Sequence, residues 1–328
     1  MHTKHLHAYE EARPRLFSLA YRMTGSWSDS EDILQDAYVK FARVPAEKIQ
    51  SAAALLTTIV TRLCIDLLRS SRKKRETYIG PWLPEPVPDL YLAHERLEER
   101  ETVSLAFLTV LQKLSPVERA VFLLREVFDY DYTEIARVTQ KSGDYCRQIF
   151  HRAKKSLRAD SNRRPLPPER ERALLAAFLS ACNSPDRKDL LRLLKEDILY
   201  ISDAGGKVPA SKIPIRTARQ TAKFLFAVRN KVRATHYYAA YSGGTLVLVG
   251  YNRETPAFVQ YFDARGGTIE KLLTVLNPDK LKAWANRGDL LRRGALVPVQ
   301  KILSASQRLR LSWLLMKKKF FVQRRSYG

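Results

Sequence analysis

Apolar residues recur every three to four positions through most of the first half of the chain, which is the spacing of one helix face. One stripe covers residues 33–41 and follows Ser28 and Glu31, a pair with the spacing of a capping box. A broader stripe covers residues 55–68 and leads directly into the basic segment 69–75. The pattern predicts a small helical bundle at the front of the chain.

The helical spacing continues between residues 91 and 160, where Ser115 followed by a proline has the form of a helix start. Two short patterns then flank a tight turn, and Ser142 is placed to cap the second. Two helices joined by such a turn are typical of a helix-turn-helix, whose second helix enters the DNA major groove. The core-facing side of that helix would carry Cys146, Ile149, Phe150, Ala153 and Leu157.

The pattern changes at about residue 169. Two helical patterns, 169–182 and 186–195, precede runs that are rich in Tyr, Val and Thr and are separated by Gly-Gly turns. The runs are residues 197–202, 234–241, 245–252, 257–263 and 268–276. They predict a curved antiparallel sheet with helices beside it, so we expect an α+β domain behind two all-α domains.

Proline clusters at residues 81–88 and 163–168 interrupt the helical patterns, because proline cannot continue a helix. We therefore divide the chain into a helical domain (1–78), a proline-rich linker (79–95), a helix-turn-helix domain (96–162), a short linker (163–168), an α+β domain (169–286) and a basic tail (287–328). The tail mixes Lys and Arg with large apolar residues. Its role stays open between DNA, a membrane surface and a partly disordered segment.

The net charge of +23 and the pI near 10.0 indicate a polyanionic partner such as nucleic acid. Cys64, Cys146 and Cys182 lie far apart among apolar residues, as expected for reduced core cysteines of a cytoplasmic protein. No apolar run reaches the ~18 residues of a membrane span. No nucleophile elbow, phosphate-binding loop, dinucleotide fingerprint or zinc motif is present. We expect a binding protein with no catalytic residue, metal or cofactor.

The outer face of the second helix-turn-helix helix is basic. Arg and Gln make paired contacts to purine edges, and Lys and further Arg residues hold phosphates. A solvated basic helix is the alternative, but the cap, the turn and the apolar stripe together favour DNA reading. The candidate DNA-binding residues are Tyr145, Arg147, Gln148, His151, Arg152, Lys154 and Lys155.

The face opposite the first apolar stripe is acidic and includes Asp29, Asp32 and Asp36. In a chain of such positive charge, an acidic patch near apolar Phe41 indicates a docking surface for a basic protein. A solvated helix surface is the alternative. These carboxylates lack the loop spacing of a calcium site.

In the order and content of these segments, the chain resembles an extracytoplasmic-function (ECF) RNA polymerase sigma factor of the group with a C-terminal SnoaL-like (NTF2-like) domain. Residues 29–41 (DSEDILQDAYVKF) are similar to the region-two helix that docks on core polymerase. Residues 55–66 (LLTTIVTRLCID) are similar to the next helix, which melts and reads the minus-ten promoter element. Residues 114–126 (LSPVERAVFLLRE) and the helix-turn-helix are similar to region four, which reads the minus-thirty-five element.

The resemblance implies a cytoplasmic transcription initiation factor, monomeric when free, whose partners are core RNA polymerase and promoter DNA. Core polymerase would be bound by Asp29, Asp32, Gln35, Asp36 and Phe41. The minus-ten element would be bound by Thr57, Thr58, Thr61, Arg62, Arg69, Arg72, Lys73 and Lys74.

Three short motifs resemble those of the subgroup: residues 82–86 (WLPEP) its linker signature, 203–207 (DAGGK) its Asp-Gly-Gly-Gly-Lys turn and 277–281 (NPDKL) its closing motif. The resemblance implies that the C-terminal domain regulates the sigma domains in cis, in place of a separate anti-sigma protein, by packing on the linker. The candidate interdomain residues are Trp82, Leu83, Pro84, Glu85, Pro86, Asp203, Gly205, Gly206, Lys207, Asn277, Pro278 and Asp279.

Two residues depart from the family pattern. Ala204 replaces a glycine of the turn and would be strained if that position had a positive φ. Gln140 stands at the helix-turn-helix turn, where glycine is usual, at a cost of ~1 kcal/mol.

A rival interpretation comes from the same fold. SnoaL-like domains include cyclases and isomerases, so the domain would be an enzyme or a small-molecule sensor attached to a DNA-binding regulator. Asp203, His236, Tyr238 and Tyr251 would line its pocket. Fold analogy is its sole support.

Overall fold

The structure is a computed structural model that describes residues 2–92, 105–161, 166–228 and 234–302. The chain forms two compact units. The N-terminal unit comprises Met1–Tyr78 and Leu83–Arg163, and the C-terminal unit comprises Ile79–Trp82 and Arg164–Gly328. The linker is therefore divided between the units at the peptide bond that joins Trp82 to Leu83.

The N-terminal unit starts with helices α1 (His2–Thr24), α2 (Trp27–Ala42) and α3 (Ala52–Glu76), which form the predicted bundle. Helix α2 begins two residues earlier than expected. Its N-cap is Ser26, whose hydroxyl accepts a hydrogen bond from the Asp29 amide at 3.1 Å. The capping box predicted at Ser28 and Glu31 is wrong, because the Glu31 carboxylate pairs with Arg13 at 2.7 Å.

The second half of this unit contains helices α4 (Leu105–Leu111), α5 (Pro116–Glu126), α6 (Tyr132–Thr139) and α7 (Gly143–Ser161). Helix α5 starts after Ser115, as predicted, and Ser115 forms a capping box with Glu118; a second capping box at Asp131 starts α6. Between α6 and α7, Gln140 has a φ of 56°, in the left-handed region that favours glycine. The backbone of a helix-turn-helix is therefore present, and Gln140 occupies its glycine position.

Both halves of the N-terminal unit share one hydrophobic core. The buried Arg119 of α5 ties them together, because its guanidinium donates to the Leu111 carbonyl at 3.0 Å and to the Met23 carbonyl at 2.5 Å. Met23 lies in the last turn of α1, where carbonyl groups face no helical partner and a cation is favourable.

The C-terminal unit contains helices α8 (Pro168–Asn183), α9 (Arg187–Leu193) and α10 (Ala218–Val228), and strands β1 (Leu194–Asp203), β2 (His236–Ser242), β3 (Thr245–Asn252), β4 (Thr255–Arg265) and β5 (Thr268–Val275). Its sheet has the order β1-β5-β4-β3-β2-β6, in which β6 is the short strand Val297–Pro298. The predicted α+β, NTF2-like fold is confirmed. The sheet is mixed rather than antiparallel throughout, because β1 pairs with β5 in parallel.

The residues after 286 differ from the predicted tail. Helix α11 (Arg287–Arg292) is followed by strand β6 (Val297–Pro298), which pairs with β2 and completes the sheet. Val299 is fully buried in the domain core. A two-residue strand is too short to leave a periodic signal, so the sequence pattern did not reveal it. The rest of the predicted tail, residues 303–328, lies outside the described residues.

Candidate polymerase, DNA and linker sites

Helix α2 presents an acidic row on its exposed face. Asp32, Gln35 and Asp36 are exposed and Asp29 is partly exposed at the first turn. Phe41, predicted to contact polymerase, is a core residue with 1% exposure, and its ring meets the His5 ring edge-on. An exposed apolar residue of this face is Val39, which was not among the predicted contacts. Its position, seven residues after Asp32, indicated the same helix face.

Several of the predicted minus-ten residues on α3 are buried or form hydrogen bonds within the N-terminal unit. The Thr57 hydroxyl lies 2.9 Å from the Tyr130 hydroxyl, and Thr61 is fully buried. The Arg62 guanidinium donates to the carbonyls of Val138 at 3.1 Å and Arg137 at 3.0 Å, in the last turn of α6. In this conformation, α3 is joined to the helix-turn-helix by these side chains.

The remaining candidates on α3 are placed differently. Thr58 is partly exposed and donates to the Ala54 carbonyl at 2.9 Å. Arg69 is exposed and lies 3.8 Å from Asp66, a long surface pair that adds little stability. The side chains of Arg72, Lys73 and Lys74 lie outside the described part of the chain.

Helix α7 has the predicted two-sided character. Cys146, Ile149, Phe150, Ala153 and Leu157 are all buried. On the other side, Tyr145, Arg147, Gln148, His151, Arg152 and Lys155 are exposed.

Two of the basic residues of α7 already have partners. The Arg147 guanidinium lies 5.2 Å from the centre of the Tyr132 ring and 3.2 Å from the Asp144 carboxylate. Lys154 is held by the Glu126 carboxylate at 2.8 Å. We therefore expect Lys154 to contribute less to DNA binding than the other basic residues of this face.

The N-terminal unit holds the linker through Glu85. Its buried carboxylate accepts hydrogen bonds from the Ser26 hydroxyl at 2.9 Å and the Trp27 amide at 2.8 Å, so it caps helix α2. The backbone amide of Glu85 donates to the Gly25 carbonyl at 2.8 Å, and Tyr21 donates to the Glu85 carbonyl. Burial raises the pKa of Glu85, although the hydrogen bonds at the helix end oppose this shift.

The C-terminal unit holds the other part of the linker through Trp82. The Lys280 ammonium lies 3.8 Å from the centre of the Trp82 ring and 2.6 Å from the Asp203 carboxylate. Lys280 and Asp203 are both buried. Asp203 ends strand β1, and its backbone carbonyl accepts from the Leu276 and Asn277 amides. We call the group Trp82, Lys280 and Asp203 the tryptophan clasp.

Lys207, one of the candidate interdomain residues, is not the cation at the Trp82 ring. Lys207 forms an ion pair with Asp279, and Lys280 is the cation at the ring. Lys280 was overlooked although it lies within the 277–281 motif. Asn277 organises that motif by accepting from the Asp279 amide at 3.1 Å, in front of the short 3₁₀ turn Pro278–Lys280.

The turn at residues 203–207 packs against the linker residue Ile79. Gly206 has a φ of +73°, and a Cβ atom there would lie 2.8 Å from the Cδ1 of Ile79. Glycine is therefore required at this position by both backbone conformation and space. Ala204 does not have a positive φ, so the strain considered for it does not arise.

Two family models match segments of the N-terminal unit. The Sigma-70 region 2 model matches residues 8–74 and the Sigma-70 region 4 model matches residues 104–157. The ECF RNA polymerase sigma factor SigJ of Mycobacterium tuberculosis is 31% identical over 289 residues, which are 83% of this chain and 91% of that protein. The chain belongs to the ECF RNA polymerase sigma factors.

Two further comparisons place this sigma factor among its relatives. The probable ECF sigma factor SigI of Mycobacterium tuberculosis is 31% identical over 201 residues, 60% of this chain and 69% of that protein. The crystal structure of SigJ superposes with a TM-score of 0.66 at 26% identity, and covers 85% of this chain and 98% of the other. The similarity to SigJ therefore extends through the C-terminal domain.

The residues of the rival enzyme interpretation do not form one site in this sigma factor. Asp203 is committed to Lys280, whereas His236 is exposed beside Thr235. The Tyr238 and Tyr251 rings meet edge to face at 5.6 Å, and the Tyr251 hydroxyl donates to a backbone carbonyl at 2.8 Å. The predicted acid/base pocket is not assembled by these four residues.

Two observations concern the described ranges alone. No helix within them is long and apolar enough to cross a lipid bilayer. Nor do these ranges contain a cluster of three or more His, Cys, Asp or Glu side chains arranged to hold a metal ion.

Proposed function

We propose that this sigma factor directs core RNA polymerase to particular promoters in the cytoplasm, and that its C-terminal domain regulates this activity in cis by holding the linker. The exposed Asp32 and Asp36 of α2 bind core polymerase, with Val39 as the apolar contact. Helix α7 reads the upstream element. The protein acts by binding rather than catalysis, is monomeric when free and has no separate anti-sigma protein.

The divided linker supports regulation in cis. Four residues, Ile79–Trp82, belong to the C-terminal unit, and the chain from Leu83 onward belongs to the N-terminal unit. Trp82 is held by Lys280, and Glu85 is held by the start of α2, the helix that carries the proposed polymerase surface. A change at the tryptophan clasp is therefore three residues from a cap of that helix.

The α3 contacts support a conformational requirement. Thr57 and Arg62 are bonded to Tyr130 and to the α6 carbonyls. If these side chains bind the melted downstream element, their contacts with the helix-turn-helix must first break. We propose that the conformation seen is the free state, and that polymerase and promoter stabilise an open one.

Run-off transcription with purified core polymerase, on the DNA upstream of the protein's own gene, tests the proposal. The full-length chain should initiate, and Trp82→Ala should change the transcript yield several-fold. Ile213→Ala is the matched control, because Ile213 is 71% exposed on the C-terminal domain and should leave the yield unchanged.

Two results would count against the proposal. A full-length chain that neither initiates nor binds core polymerase would remove the sigma activity from this protein. A Trp82→Ala variant with wild-type transcription and wild-type protease sensitivity would remove the regulatory role of the linker.

A further inference from the structure

A cavity of about 120 Å³ lies inside the C-terminal domain, between helices α8 and α10 and one face of the sheet. Its wall is largely apolar and includes the aromatic residues Phe178, Phe224, Phe226, Tyr237 and Phe258. Its size is of the same order as an apolar protein cavity of ~150 Å³ that accepts benzene. The space fits a compact ring.

No charged side chain lines this cavity among the residues described. Its polar side chains are neutral, and they include Gln260, Thr274 and Tyr200. Gln260 donates to the Thr274 hydroxyl at 3.3 Å across the β4–β5 pair, and Thr274 is also bonded to the buried Tyr200 phenol. Burial raises the pKa of Tyr200, and it raises that of Tyr237 to about 12, so both phenols stay neutral. A ligand with a full charge would lose its hydration without gaining a counter-charge.

We propose that this cavity binds a neutral, single-ring or similarly compact apolar molecule with one hydroxyl or carbonyl group, and that the bound molecule strengthens the tryptophan clasp. The apolar body fills the aromatic part of the cavity. The polar group hydrogen-bonds on the side of Gln260, Thr274 and Tyr200. The regulatory half of this inference depends on the proposed function in cis, whereas the binding half does not.

The route from the cavity to the linker is one stretch of chain, residues 204–212. Pro209 and Ala210 line the cavity. The same two residues, with Gly206 and Lys212, line a groove that also contains Ile79 and Gly80 of the linker. The same loop therefore lines both the cavity and the groove that contains the linker residues.

The loop is attached to the sheet next to the clasp. The Ser202 hydroxyl accepts from the Ser211 amide at 3.1 Å and donates to the Ser211 carbonyl at 3.2 Å. Ser202 precedes Asp203, which holds Lys280 at Trp82. Movement of Pro209 and Ala210 is thus transmitted to the end of β1 as well as to Ile79.

The direction of the effect follows from linkage. The conformation seen here has both an open cavity and a linker in place on the domain. A ligand that fits this cavity binds this conformation preferentially, so it stabilises the clasp, and an intact clasp must favour the ligand by the same factor. Trp82→Ala should therefore weaken ligand binding although Trp82 does not line the cavity.

Calorimetry on the full-length chain with 4-methylphenol, toluene and benzoate tests the binding half. We expect one molecule of 4-methylphenol to bind, toluene to bind at least threefold more weakly, and benzoate not to bind. Thr274→Val should remove the preference for 4-methylphenol over toluene. Leu179→Trp, which fills the cavity from α8, should abolish both. The proposal would be overturned if neither 4-methylphenol nor toluene bound, or if benzoate bound as tightly as 4-methylphenol.

Cys182 gives a second measurement that does not depend on calorimetry. It lines the cavity and is partly exposed, whereas Cys64 and Cys146 are buried. Saturating 4-methylphenol should slow alkylation of Cys182 by iodoacetamide at least threefold, read by mass spectrometry. An unchanged rate would contradict occupation of this cavity.

The regulatory half has its own test. Trp82→Ala should lower the affinity for 4-methylphenol at least threefold, and Ile213→Ala should not. Equal affinity in Trp82→Ala and wild type would overturn the coupling and leave binding intact. A wild-type transcription yield in Trp82→Ala with reduced ligand affinity would instead reject the proposed function in cis while the coupling stands.

Discussion

The Lys280 ammonium lies 3.8 Å from the centre of the Trp82 ring and 2.6 Å from the fully buried Asp203 carboxylate. One lysine thus neutralises a buried charge of the C-terminal domain and holds a linker residue. Stability of the domain and attachment of the linker therefore depend on the same side chain.

Lys280→Met should destabilise the C-terminal unit strongly. Removal of the cation takes the ion-pair partner away from the buried Asp203 carboxylate, and breaking a buried ion pair from one side costs about 3–5 kcal/mol. Urea unfolding followed by tryptophan fluorescence measures the effect. The exposed Lys282→Met is the matched control and should change stability by less than about 0.5 kcal/mol. Asp203→Asn combined with Lys280→Met should recover part of the loss, and no recovery would contradict this assignment.

Glu171 makes the C-terminal unit sensitive to pH. Burial raises the pKa of this carboxyl from 4.5 to about 7, although it accepts a hydrogen bond from the Leu246 backbone. The folded state binds the Glu171 proton more tightly than the unfolded state does. Protonation of Glu171 therefore stabilises the folded state fully below pH 4.5, and this stabilisation is lost as the pH rises through about 7.

Glu171→Gln should therefore raise the urea midpoint relative to wild type at pH 8 and leave the difference small at pH 4.5. The exposed Glu169→Gln, on the same helix turn, should show no such pH-dependent difference. A Glu171→Gln effect of equal size at both pH values would show that the carboxyl does not titrate as described.

Arg62→Met should loosen the helix-turn-helix from α3. Arg62 donates to two carbonyls in the last turn of α6, and charge-assisted hydrogen bonds on a partly solvated side chain contribute about 1 kcal/mol together. Hydrogen exchange at α6 amides should become several-fold faster in the free protein. Arg69→Met, on the exposed side of α3, is the control. If Arg62→Met left hydrogen exchange at the α6 amides unchanged but reduced promoter binding, Arg62 would contact DNA and would not hold the helix-turn-helix on α3.

Local signals were sufficient where the pattern repeats within one element. The apolar stripe of α7 predicted its five buried residues, because helix periodicity alone decides which face packs. The NTF2-like domain followed from β-rich runs and from the family resemblance. Gln140 also occupies the predicted left-handed turn, since a helix-turn-helix requires it there.

Long-range contacts explain what the sequence did not reveal. The start of α2 depends on Glu85, which is more than fifty positions away and caps Trp27. Lys280 meets Trp82 across nearly two hundred residues, and no local pattern marks that contact. Phe41 was predicted to contact polymerase because the pattern of a single helix does not reveal which other helices pack on it. In the structure Phe41 is buried, and α2 packs against α1 and α3.

Arg147→Ala should reduce promoter discrimination more than overall DNA affinity. Arg147 is exposed on the reading face of α7, supported by the Tyr132 ring, and a paired Arg contact to guanine discriminates by about 1–3 kcal/mol. Fluorescence anisotropy on promoter and random duplexes should show a loss of about 5–150-fold on the promoter alone. The comparison variant is Lys155→Ala, which should weaken both duplexes alike and reduce the salt slope by about 0.9, as expected for one lost phosphate contact. Equal losses on both duplexes in Arg147→Ala would make Arg147 a phosphate contact and move base reading to Gln148.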